Sequence, residues 1–71
     1  MRDFDEKLGI ALRKARQAKK LSQPEVAEKL GVSKMTVSYW ETGMRTMKAE
    51  QLKRYCALLG VSAQSILDQT D

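Results

Sequence analysis

The sequence predicts an all-α fold of five short helices, and three observations carry that expectation. Apolar residues recur at helical spacing nearly everywhere, and no stretch alternates cleanly enough for a strand. Serines precede the periodic segments, and three of the four glycines stand just past their ends. The length, 71 residues, leaves room for one domain spanning 1–71, because domains usually run ~100–200 residues.

Phe4, Leu8, Leu12 and Ala15 fall on one face of a first helix, expected at about residues 3–19. Arg13, Lys14, Gln17, Lys19 and Lys20 cover its other sides. The second helix has the clearest start. Ser22-Gln23-Pro24-Glu25 forms a capping box, in which Ser22 and Glu25 each satisfy an orphan backbone N–H. Pro24 falls in the first turn, where its missing donor costs nothing. Leu21 and Val26 occupy the positions of a hydrophobic staple, and Val26, Ala27 and Leu30 face inward up to Gly31. Ser33 caps a third helix, 34–41, which buries Val37 and Trp40 and stops at Gly43. The loop Met44-Arg45-Thr46 leads to a fourth helix at about 47–59, with Leu52, Tyr55, Cys56 and Leu59 inside. Gly60 closes it, and Ser62 caps a last helix carrying Ile66 and Leu67.

Composition narrows the function classes. Residues 13–54 hold eleven basic and four acidic side chains, net +7 within a whole-chain charge of +4. A basic middle suits a polyanion; a merely solvated basic face is the competing reading. The chain has no histidine and one cysteine. A zinc site, a catalytic triad and an intrachain disulfide therefore lack their residues. Cys56 reads as a small buried hydrophobe rather than a redox thiol. No apolar run approaches a membrane span, and the N-terminus lacks the apolar core of a signal peptide. A reduced, cytoplasmic, non-enzymatic protein with no cofactor is expected.

Two helices joined by a tight glycine turn, the second polar on its outer side, follow the plan of a helix-turn-helix over about residues 22–42. Ala27 must be small where the helices cross. With Val37 and Trp40 inside, Lys34, Met35, Ser38 and Tyr39 must project outward. Leu21-Ser22-Gln23, Ala27, Leu30-Gly31-Val32-Ser33, Val37-Ser38 and Trp40-Glu41-Thr42-Gly43 resemble the lambdoid phage repressor and Cro family of helix-turn-helix proteins, also called the XRE family. The likeness extends to Leu8-Gly9, Leu12 and Arg16, and to Leu52, Leu59-Gly60-Val61-Ser62 and Ile66-Leu67. It covers about residues 8–67.

The resemblance implies a five-helix, lambda-repressor-like domain that binds double-stranded operator DNA as a two-fold dimer. It also implies a prokaryotic or phage-encoded regulator working at the nucleoid. Carried over, the base-contacting residues are Lys34, Met35, Ser38 and Tyr39, whose methionine and aromatic ring suit a thymine methyl. Backbone-contacting residues are Gln23, Thr42 and Arg45. Arg16 and Glu41 resemble a buried ion pair that locks the motif onto the first helix. The candidate dimer contacts are Ala63, Gln64 and Ser65 with Met44 and Met47; the two methionines fit a core satellite equally well. The sequence departs from the family at Lys34, where glutamine is usual, and at Met47, where proline is common. The homodimer is expected to be weak without DNA and the operator an imperfect palindrome. A protein-interaction module or an antitoxin-type component is the alternative, in which DNA binding is secondary.

Overall fold

A computed structural model describes residues 3–71. The helices are α1 (Asp3–Ala18), α2 (Gln23–Leu30), α3 (Lys34–Thr42), α4 (Ala49–Leu59) and α5 (Ala63–Asp68). Among the described residues there is no strand. The chain packs into 29 × 22 × 20 Å. Its core joins Leu8, Leu12, Val26, Val37, Tyr55 and Ile66, so every helix contributes.

Local chemistry sets the boundaries. The Ser22 hydroxyl accepts from the Glu25 N–H, and the Ser22 N–H donates to the Glu25 carboxylate at 2.9 Å, completing the expected box. These bonds hold the Glu25 carboxyl below its usual range. Ser33 and Ser62 cap α3 and α5 in the same way, each accepting one backbone N–H. Gly43, at φ +79°, is required twice over. Its left-handed backbone turns the chain out of α3, and an added Cβ would lie 2.7 Å from the Glu6 side chain.

Gly9 has a different role. An added Cβ there would fall 2.4 Å from the Glu41 carbonyl oxygen and 2.6 Å from that of Trp40. The backbones of α1 and α3 therefore touch, and α1 crosses the end of α3 directly.

Two expectations shift. The fourth helix begins at Ala49, two residues later than expected. Met47 lies half-buried against the core from an extended loop, so its apolar position does not mark a helical turn. Phe4 is 49% exposed rather than inside. On α1's first turn, half-buried Asp5 and exposed Glu6 are the residues that meet the loop after α3. The buried stripe runs through Leu8, Gly9, Leu12 and Arg16 instead.

Candidate nucleic-acid interface

The motif is built from α2, the turn at Gly31-Val32 and α3. The turn is closed by the Val32 N–H donating to the Ala27 carbonyl at 3.0 Å. From α4, the Arg54 guanidinium donates to the Leu30 carbonyl at 3.0 Å, satisfying an orphan acceptor at the end of α2. Nothing in the sequence pattern marked Arg54 for this task.

Val37 and Trp40 are buried beneath α3. Their burial turns the opposite face outward. Lys34 is exposed, Met35 is 58% exposed, and Ser38 and Tyr39 are half-buried. The four expected groove-facing side chains thus share one side of a nine-residue helix. Lys34 stands at its N-terminus, which also carries the positive end of the helix dipole.

The loop after α3 is held from both sides. The Tyr39 carbonyl accepts from the backbone N–H groups of Gly43, Met44 at 2.9 Å and Arg45 at 3.3 Å. Thr46 donates its hydroxyl to the Asp5 carboxylate at 2.8 Å. Arg45 lies back over the Tyr39 ring, its guanidinium carbon 5.3 Å from the ring centroid. This contact joins a residue expected at base edges to one expected at the DNA backbone.

The remaining backbone-contact candidates are engaged within the fold. The Thr42 hydroxyl donates to the Ser38 carbonyl at 2.9 Å. The Gln23 amide donates to Glu41 Oε1 at 3.1 Å. Among the dimer candidates, Met44 is exposed, Met47 and Ala63 are half-buried against the core, and Gln64 and Ser65 are exposed. Gln64 donates to Asp68, and the Ser65 hydroxyl turns back on the Ser62 carbonyl.

Beneath the interface lies a buried polar cluster. Arg16 Nε donates to Glu41 Oε2 at 2.7 Å and Arg16 Nη2 to Glu41 Oε1 at 2.9 Å, a bidentate pair. A third guanidinium N–H goes to the Leu21 carbonyl at 2.8 Å. Tyr55 donates its hydroxyl to Glu41 Oε2 at 2.5 Å. With Gln23, the cluster takes a side chain from each of α1, α2, α3 and α4. Burial alone would push the Glu41 carboxyl up. The bonds from Arg16, Tyr55 and Gln23, with the charge on Arg16, outweigh it and hold the group below its usual range. The bond to Glu41 raises Arg16 despite its burial. Burial and then the Glu41 bond push the Tyr55 phenol far above its usual range.

Sequence reasoning found Arg16 and Glu41 but missed Tyr55 and Gln23 as their partners. The available signal was Tyr55 itself: a tyrosine placed wholly inside must find a partner for its hydroxyl.

The helix-turn-helix family profile matches residues 12–66. The chain is 34% identical to the clp gene regulator ClgR from Corynebacterium glutamicum in two crystal structures. One superposes with a TM-score of 0.91, covering 94% of this chain and 71% of that one. The other gives 0.90, covering 94% of this chain and 87% of that one. None of the curated proteins compared matches. Among the described residues, no helix is long and apolar enough to cross a membrane.

Proposed function

The chain belongs to the Cro/C1-type helix-turn-helix family, and on that footing we propose that it is a homodimeric repressor of a palindromic operator. It is a DNA-binding transcriptional regulator. In this reading α3 lies in the major groove, where a helix fits and base edges carry a distinct donor and acceptor pattern. Lys34, Met35, Ser38 and Tyr39 meet base edges, and Gln23, Thr42 and Arg45 meet the backbone. Gln23 keeps one amide N–H on Glu41 and offers the other. Thr42 meets a phosphate by giving up its bond to Ser38. Lys34 can donate to guanine O6 and N7. The protein acts without catalysis, in the cytoplasm at the nucleoid.

The observation that carries the reading is the outward face of α3. Four side chains suited to base edges stand on it, on a segment whose net charge is +7. The competing reading, a protein-interaction module, gives no reason for that charge.

Two chains related by a two-fold axis require half-sites with centres about 10–10.5 bp apart. Met44, Gln64 and Ser65 are exposed and Met47 and Ala63 half-buried, a small seam in which Met44 is the one exposed apolar side chain. The dimer is therefore weak alone and firm on DNA. Selection of bound sequences from a random duplex pool, followed by a count of chains per duplex, tests the reading. An inverted repeat bound by two chains supports it. A single half-site bound by one chain overturns the dimer, and no enrichment at all overturns base readout.

A further inference from the structure

We propose that Tyr39 and Arg45 act on DNA as one unit. The face of the Tyr39 ring positions the Arg45 guanidinium against a phosphate, while the ring edge and hydroxyl remain for a base. The proposal rests on the DNA-binding reading above and deepens it, because it makes Tyr39 a positioning residue for a backbone contact.

The two residues are six apart, too far to meet along a continuous helix. They meet because α3 ends between them. Gly43 reverses the chain with its left-handed backbone, and the Tyr39 carbonyl gathers the N–H groups of Gly43, Met44 and Arg45. Arg45 is thereby tied to Tyr39 by main chain before its side chain is considered. The loop's far side is fixed by the Thr46 bond to Asp5 and by the contact of Gly43 on Glu6. The 5.3 Å approach of guanidinium to ring is within the ~6 Å reach of a cation–π contact.

Among the described residues, no carboxylate forms an ion pair with Arg45. Its charge is thus not neutralised by any described carboxylate, while its position over the ring is already set. A guanidinium can stack on a ring through its face and still present N–H groups at its edge, which an ammonium group cannot do. Ordering this long side chain before DNA arrives lowers the entropy lost on binding. Tyr39 and Arg45 therefore cannot be perturbed independently. Losing the ring loosens the phosphate contact as well as the base contact.

The test uses Tyr39→Phe, Tyr39→Leu, Arg45→Ala and the double variant Tyr39→Leu/Arg45→Ala. In the free protein, NMR reads the Arg45 side-chain protons, which a ring beneath them shifts upfield. The shift should persist in Tyr39→Phe and vanish in Tyr39→Leu; no shift in the parent refutes the stack with or without DNA. On DNA, affinity for the selected site and for a scrambled duplex is measured across salt. Tyr39→Leu should lower the log–log salt slope, though it removes no charge, by up to about 0.9 per subunit, the value for one phosphate contact. In the Arg45→Ala background it should leave the salt slope unchanged and cost base preference alone. Tyr39→Phe should keep the slope and relax base preference only. The coupling should be about two- to five-fold per subunit, as for an exposed cation–π pair. Additive losses, with an unchanged slope in Tyr39→Leu, overturn the proposal while leaving DNA binding intact. If the parent prefers no sequence and shows no salt dependence, the DNA-binding reading fails, and the NMR result shows whether the stack survives it.

Discussion

Glu41→Ala is the most informative perturbation of the fold. Glu41 accepts four hydrogen bonds, two from Arg16 and one each from Tyr55 and Gln23. Removing it leaves the Arg16 guanidinium, in a residue 8% exposed, without a counter-charge. Breaking a buried pair from one side costs about 3–5 kcal/mol. The Tyr55 hydroxyl, in a residue 0% exposed, is also left without its acceptor, which adds about 1–3 kcal/mol if no other acceptor is found. Against this stands a total stability of about 4–11 kcal/mol for a chain of this size. The variant should therefore be largely unfolded or barely stable. In a domain this small each kcal/mol shifts the melting temperature by about 4–8 °C, so the fall should exceed about 12 °C.

Thermal and urea unfolding followed by circular dichroism measure this. A melting temperature within a few degrees of the parent would refute the reasoning, because it would mean that Arg16 reaches water at little cost. A second variant separates lost charge from lost shape. Replacing the set together, Arg16→Met with Glu41→Leu and Tyr55→Phe, strands no charge and should recover much of the stability, because well-packed apolar replacements of buried ion pairs are often neutral or better.

The same cluster sets the pH limits of stability. Glu41 titrates below its ordinary 4.5 in the fold, so on acidification the unfolded chain takes up that proton first. Its contribution is whole above about pH 4.5 and is lost as pH falls through the folded value. Tyr55 is shifted the opposite way, so its contribution is whole below its ordinary 10.0 and is lost above it. Urea midpoints across pH should show both limbs, and Tyr55→Phe should flatten the alkaline one. Gly9→Ala gains about 1 kcal/mol of helix propensity but drives a methyl into two backbone carbonyls. A net loss of at least about 1–3 kcal/mol is expected, and an unchanged melting temperature would mean that α1 can slide off α3. Met35→Ala should relax preference at one or two base pairs per half-site, each worth about 1–3 kcal/mol. An unaltered selected sequence would remove Met35 from the readout.

The helices were legible because their signals are local. A serine cap followed three residues later by glutamate, or a glycine beyond an apolar stripe, acts within one turn. The outward side of α3 was legible for the same reason, since burying Val37 and Trp40 leaves Met35 and Tyr39 nowhere else to point. The errors arose where a local pattern met a non-local partner. Met47 has helical spacing but packs from a loop, and Phe4 extends a stripe whose cover begins only one turn later, at Leu8. Gln23 and Tyr55 were hidden because their partner is 18 and 14 residues away, and a sequence pattern does not reveal a meeting of four helices. The Arg45–Tyr39 contact was hidden because it depends on a left-handed residue between them.

The placement of Glu41 explains why so small a domain carries a buried charged cluster. An apolar junction would pack the same helices but leave their sliding and rotation weakly specified. The Arg16–Glu41 fork fixes orientation as well as distance, because both guanidinium bonds must close together. Gln23 then ties the first residue of α2 to the penultimate residue of α3. Those are the two helix ends from which, in the proposed complex, the chain grips the phosphates on either side of the groove. Gly9 brings α1 backbone onto the Glu41 carbonyl, so the residue that anchors the cluster is held through its main chain as well as its side chain. The cost of burying the charges is thus offset where orientation matters most, at the spacing between α2 and the end of α3. If this account holds, Gln23→Ala should weaken operator binding through misplacement of α3 as well as through a lost phosphate contact. Misplacement should weaken the operator more than a scrambled duplex, whereas loss of a neutral amide's phosphate contact weakens both alike. An equal loss on operator and scrambled duplex, with sequence preference intact, would reduce Gln23 to a simple phosphate ligand.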